Sequence, residues 1–157
     1  MATFGLTGSL RLAPSWSDAL GSSTLSDATT FLHTFSLANG TAAGQADCYW
    51  RDVRTIAASG SDQIDTVALP LNVLGGSDTI EMAQFRLLYV KNLSDAADLT
   101  FNMATDSFDL MAGGVLLWSA PSEASNVPWV NQYIEIDNES TTTACSYEIL
   151  LVGVLPV

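Results

Sequence analysis

Apolar and polar residues alternate along this chain with a period of two in segment after segment, and nowhere convincingly with the period of a helix. In residues 3–12, Phe4, Leu6, Gly8, Leu10 and Leu12 fall on one side, with Thr3, Thr7, Ser9 and Arg11 on the other. That is the pattern of a strand with one buried face. Residues 29–38 repeat it with Phe31, His33, Phe35 and Leu37, and end at Asn39-Gly40, a strong turn signal. Segment 46–58 sets Cys48 and Trp50 against Tyr49 and Arg51, so it is expected to pair with 29–38 across the short loop 39–44. Residues 14–27, with Pro14, Gly21 and many serines, predict a long loop that has room for a helical turn at 17–20.

Shorter strands are expected at 64–69, ended by Pro70, at 99–103, at 108–111, at 115–120 between Gly113-Gly114 and Pro121, and at 133–137. Gly-Ser-Asp at two turns, and Leu-Ser-Asp beginning at Leu25 and Leu93, read as Asx and Ser turns rather than structural repeats. Two segments are apolar on both sides. In 82–92, Phe85, Leu87 and Tyr89 oppose Leu88 and Val90, with Arg86 on the second face. In 145–155, Tyr147, Ile149, Leu151 and Leu155 oppose Leu150, Val152 and Val154. Such strands belong in the middle of a sheet, covered on both faces. The expectation is an all-β chain: an antiparallel β-sandwich, jelly-roll-like, of eight to ten short strands. Its 157 residues suit one domain, 1–157, with 1–12 as an N-terminal strand or arm.

Composition changes the picture at the surface. Hydrophobic residues make up 48% and charged ones 14%, against about 25% charged in an ordinary domain. Too few charges remain to coat a lone globule, so part of the exterior is expected to be uncharged and polar or covered by other subunits. Seventeen acids against five bases give a net charge of -12. With Arg11, Arg51, Arg54, Arg86 and Lys91 scattered, no nucleic-acid partner is expected. The close pair Arg51 and Arg54 reads as cross-strand charge pairing. The N-terminus shows no basic and apolar signal pattern, and the longest apolar run, 149–157, is about half a membrane span, so a product made in the cytoplasm with no membrane partner is expected.

Candidate chemistry is sparse. The single His33 shares its face with Phe31, Phe35 and Leu37, which favours a packed or interface histidine over a general base. Asp106 with Asp109, or Asp137 with Glu139, lack the spacing of a calcium loop or further support as a glycosidase pair. Cys48 and Cys145 match no metal spacing and read as buried free thiols. Asn-x-Ser/Thr triplets at Asn39, Asn92 and Asn138 carry no meaning without secretion. The expectation is no enzyme, no catalytic or metal residues and no cofactor. Trp50 reads as core. Trp118, at a strand end, and Trp16 and Trp129, beside polar loops, are candidate interface residues together with Phe4 and Leu6.

One order of features points further: an apolar strand ending in Lys91-Asn92, then Gly113-Gly-Val-Leu-Leu117, Trp129 after a Pro/Ser-rich loop, Ile134-Glu-Ile-Asp-Asn138, and Tyr147-Glu-Ile-Leu-Leu-Val-Gly153. It resembles small structural proteins of tailed bacteriophages and is most similar to capsid decoration, or cement, proteins of β-sandwich type. The resemblance spans about residues 85–153. It implies a virion structural protein, a homotrimer seated on the capsid exterior against the major capsid protein and stabilising its lattice. The alternatives are a carbohydrate- or receptor-binding module that uses Trp16, Trp118 or Trp129 as a stacking platform, and a phage tail or fibre component.

Overall fold

The structure, a computed structural model, describes residues 4–20, 23–27, 30–71, 78–103, 106–120 and 133–156. Among them the regular elements are all strands: β1 (Leu6–Leu12), β2 (Trp16–Leu20), β3 (Ser23–Asp27), β4 (Phe31–Asn39), β5 (Gln45–Ala46), β6 (Cys48–Ile56), β7 (Ser61–Asp65), β8 (Leu69–Pro70), β9 (Thr79–Ile80), β10 (Gln84–Asn92), β11 (Leu99–Met103), β12 (Asp106–Leu110), β13 (Val115–Ser119), β14 (Tyr133–Asn138) and β15 (Cys145–Val154). Eight of them form two four-stranded antiparallel sheets, β13-β10-β15-β6 and β12-β11-β14-β7, stacked as a β-sandwich.

Four strands in chain order, β6, β7, β10 and β11, pair one for one and in reverse order with the next four. β6 takes β15, β7 takes β14, β10 takes β13 and β11 takes β12. The chain is thus a long ribbon rolled so that successive rungs fall in alternate sheets, and the pairs β10/β15 and β11/β14 complete each sheet.

The two-faced strand β15 lies inside its sheet, between β10 and β6, as its pattern requires. Its odd residues Cys145, Tyr147, Ile149 and Leu151 are buried with Trp50, Leu88 and Val90 against Ile64, Leu99, Phe101, Ile134 and Ile136 of the other sheet. Each large side chain in this layer contributes about 1.5–3 kcal/mol by leaving water. On the opposite face, Leu150 and Val152 meet a second, smaller cluster built with Leu37, Ala46, Leu87 and the half-buried Phe4, Leu6, Phe35, Tyr89 and Leu117.

Three sequence expectations are corrected. Segment 14–27 is not a loop with a helical turn: β2 and β3 pair there as an antiparallel ladder, Trp16↔Asp27 to Leu20↔Ser23. Its Ser and Thr residues favour turns locally, and the ladder is supplied by the partner strand. Segment 29–38 does not pair with 46–58. β4 pairs antiparallel with β1, because their apolar faces coincide, and reaches β5 only through a short parallel bridge, while β6 is taken by β15. Between β4 and β5, Gly40 and Gly44 adopt φ of 140° and 75°, conformations open to glycine, which send the chain on instead of back. Finally, Phe85 does not share a face with Leu87. A bulge at Arg86 breaks the alternation, so Phe85 packs in the inner cluster and Leu87 in the outer one.

Candidate interaction surface

β1 and β4 form a hairpin whose ladder runs from Leu6↔Leu37 to Leu12↔Phe31. Three residues separate Leu12 from Trp16 and three separate Asp27 from Phe31, so the β2/β3 ladder has the same pairing offset as β1/β4. Residues opposite each other in such a ladder share a face. One face of the arm therefore carries four successive rows: Leu6/Leu37, Gly8/Phe35, Leu10/His33 and Leu12/Phe31. In the second row the Phe35 ring lies over Gly8, where an added Cβ would sit 2.3 Å from a ring carbon.

The first two rows pack on the β13-β10-β15-β6 sheet, with Phe4 also reaching Tyr49 at a ring separation of 6.1 Å. The last two stand clear: Leu10, Leu12 and Phe31 are 42%, 54% and 60% exposed, and Leu32 on the other face is 63% exposed. A single isolated apolar side chain in water needs no explanation, but a contiguous group does.

The outer face of the β13-β10-β15-β6 sheet is likewise half covered. Registers set three rows across it. Ser119, Leu87, Val152 and Tyr49 lie at the arm's root; Leu117, Tyr89, Leu150 and Arg51 come next; Val115, Lys91, Glu148 and Val53 lie farthest out. In the outermost row Val115 and Val53 are more than half exposed. Charge is segregated by strand. All five Lys and Arg residues lie on β1, β6 or β10, that is, on the arm or this sheet, whereas the strands β7, β12 and β14 of the opposite sheet carry Asp62, Asp65, Asp106, Asp109, Glu135 and Asp137 with no base. By face the cations scatter: Arg86 is buried, Arg54 turns inward to Asp62 of β7, Arg11 lies on the side of β1 away from Leu10 and Leu12, and Arg51 and Lys91 share the outer face with Glu148.

Most of the remaining polar groups are structural. Arg51 pairs with Glu148 across the strands, and Arg54 bridges Asp52 at 3.7 Å and Asp62 at 3.2 Å. Asp62 also accepts the Tyr147 hydroxyl at 2.8 Å, which links the two sheets at the β6/β7 edge beside a shallow cleft lined by residues 52–57 and 60–62. Burial first, and then the neighbouring Asp62 carboxylate, hold the Tyr147 hydroxyl protonated well above its usual range. Cys48 and Cys145 are buried free thiols. Burial, with Asp47 beside it, pushes Cys48 up to about 12, so it is not a thiolate nucleophile at neutral pH. Asp109 and Glu139 meet at the Thr100 hydroxyl, 3.2 and 2.7 Å away. Among the described residues no group of three or more His, Cys, Asp or Glu gathers as a metal site.

Sequence reasoning missed one arrangement altogether: two copies of the same loop lock. Asn92 donates its amide to the carbonyls of Ala97, Leu110 and Met111, its oxygen accepts the Ser94 N–H, and the Ser94 hydroxyl accepts the N–H groups of Ala96 and Ala97. Asn138 donates to Thr143, Ile56 and Ala57, accepts from Ser140, and Ser140 accepts from Thr142 and Thr143. Each lock also grips a four-residue turn, 111–114 or 57–60, whose third residue has positive φ, 72° at Gly113 and 55° at Ser59. The repeated Asn-x-Ser was the available signal. Asn39, in the third triplet, accepts the Phe4 N–H and so fixes the start of the arm.

Of the candidate interface residues, Phe4 and Leu6 come together at the root of the arm, half-buried on the chain's own sheet, and Trp118 is half-buried against the inner cluster. Trp16 begins β2 and pairs with Asp27 of β3. Trp129 lies outside the described residues. Trp50 is core, its indole donating to the Pro70 carbonyl at 3.0 Å. His33 is exposed on the arm beside Phe35 rather than packed in the core. Compared with models of known protein families and with curated proteins, the chain matches none.

Proposed function

We propose that this protein is a virion structural component, a decoration protein that sits as a trimer on the outside of a bacteriophage head and stabilises its lattice. The observation that carries this reading is the contiguous exposed apolar group on the β1/β4 ladder, Leu10, Leu12 and Phe31, together with a sheet whose strands β7, β12 and β14 carry six acids and no base. A part built into a surface needs one face to adhere and another that stays wet and repels further copies. The nested pairing of the eight sandwich strands supports this reading, since it is the order that a jelly roll of two Greek keys, an architecture used in viral capsid domains, would have. The resemblance of residues 85–153 to cement proteins agrees with it.

The mechanism is linkage. A protein that binds the assembled lattice and not its free subunits stabilises the lattice by mass action. Threefold placement makes the self-contacts heterologous and closed. The purified chain is expected to run in light scattering near three times its 16.7 kDa monomer mass, to co-sediment with heads, and on removal to lower their tolerance of heat. Failure to bind heads, together with glycan binding lost in Trp118→Ala, would move the assignment to a carbohydrate-binding module.

A further inference from the structure

The two loop locks are part of a wider correspondence along the chain. Ile134, Ile136, Asn138, Ser140, Cys145 and Tyr147 follow Leu88, Val90, Asn92, Ser94, Leu99 and Phe101 at one constant interval. In both series the two residues before the Asn and the two after the loop lie in the inner core cluster, the last of them an aromatic. The turns match as well. Ile56-Ala-Ala-Ser-Gly60 and Leu110-Met-Ala-Gly-Gly114 each set a buried aliphatic residue before a turn with positive φ, at Ser59 and at Gly113.

The bonds that close the locks repeat in the same places. The Asn92 N–H donates to the Gly114 carbonyl and the Asn138 N–H to that of Gly60, both at 2.9 Å. The Gly113 N–H donates to the Ser94 carbonyl at 2.9 Å, and the Ser59 N–H to that of Ser140 at 2.7 Å. Strand pairing obeys the same rule. Exchanging β6, β7, β10 and β11 with β12, β13, β14 and β15 turns the sheet β13-β10-β15-β6 into β7-β14-β11-β12, which is the second sheet. Registers survive the exchange at the flanks: Lys91↔Val115 becomes Asp137↔Ser61, and Leu99↔Leu110 becomes Cys145↔Ile56. The central pairs slip, since Asn92 faces Tyr147 while Asn138 faces Leu99 where the exchange would give Phe101. That slip keeps every side chain on its own face. A shared period is common to all strands, but a shared lock, turn and register is not.

We propose that the sandwich is a tandem duplication: two copies of one four-strand unit, β6-β7-β10-β11 and β12-β13-β14-β15, each clamped by the other. Asn92 of the first unit holds the turn 111–114 of the second, and Asn138 of the second holds the turn 57–60 of the first. Neither unit opens without releasing a turn of its partner, so the two unfold as one cooperative body. The copies differ on their outer faces. Leu87, Tyr89 and Lys91 of the first stand where Tyr133, Glu135 and Asp137 stand in the second, and the arm packs on the first of these faces.

The test uses the full-length chain with a protease recognition sequence inserted between Met103 and Asp106, where the units join, and cut after folding. The cut chain is expected to keep its β circular dichroism and its mass in light scattering. Diluted from urea, its two pieces are expected to regain the signal, with a midpoint that rises with protein concentration. Asn92→Ala and Asn138→Ala are each expected to lower that midpoint, by similar amounts. Pieces that separate without urea, or a midpoint lowered by one variant and not the other, overturn the proposal. If the insertion unfolds the uncut chain, exchange of the turns decides. Ala57→Met/Ser59→Gly/Met111→Ala/Gly113→Ser gives each unit the other's turn, and its urea midpoint is expected at the wild-type value. Gly113→Ser alone is expected to lower the midpoint, because serine tolerates positive φ poorly. An exchange variant no more stable than Gly113→Ser alone overturns the proposal.

Discussion

Asn92 and Asn138 show how much of this fold depends on single amides. Each is buried, and each feeds three backbone carbonyls from two connections, the bonds to Ala97, Leu110 and Ile56 lying fully inside. A buried carbonyl that loses its partner forfeits about 1–3 kcal/mol. Asn92→Ala and Asn138→Ala are each expected to destabilise by about 3 kcal/mol or more in urea melts, and Asn92→Asp by at least as much, since it replaces two donors with a charge facing carbonyls. A loss under about 0.5 kcal/mol for either alanine variant would show the locks to be incidental. The identity of these residues was plain from the sequence. Their role was not, because a triplet that reads as a surface acceptor becomes a lock only when a second loop, some twenty or eighty residues away, places its carbonyls beside it.

At the scale of the element, the central strands were legible and the edges were not. β15 and β10 announced themselves by being apolar on both faces, and both lie inside the sheet. Their contact is close: a Cβ on Gly153 would lie 2.0 Å from the Gln84 carbonyl oxygen and 2.7 Å from Met82 Sδ. The backbone of Gln84 cannot retreat, as its strand is laddered to β15 on that side. Gly153→Ala is therefore expected to cost about 1–3 kcal/mol, in the range of overpacked cores, read as a lowered urea midpoint with an unchanged slope. Unchanged stability would mean that the strand end frays freely. The arm shows the opposite case. Its Ser- and Thr-rich half carries weak local preferences, so its pairing is decided by a partner strand and not by its own pattern.

For the whole molecule, the decisive property is the placement of charge, which a count cannot supply. A net charge of -12 describes a chain that repels its copies, and strands β7, β12 and β14 carry six of its acids with no base, while Leu10, Leu12 and Phe31 stand exposed on the β1/β4 ladder. Self-association through apolar rows against a background of like charge should strengthen as salt screens the background, the screening length falling from about 10 Å at 0.1 M to about 3 Å at 1 M. Sedimentation equilibrium across that range is expected to show a tighter oligomer at high salt. Weakening would mean that ion pairs, not apolar rows, hold the copies together.

The sequence by itself determined that the chain is all-β, which strands are central, and that its surface is short of charge, because period-two alternation and composition are local quantities that burial of one face enforces. Only the tertiary structure decided which strands pair, that residues 16–20 and 23–27 form a ladder, that a bulge at Arg86 turns Phe85 inward, and that Arg86 is buried while Arg54 reaches Asp62 of the other sheet. These outcomes depend on partners distant along the chain, and pairing energy is non-local: a strand's pattern says that it needs a neighbour, and the competition among all the other strands says which one it gets.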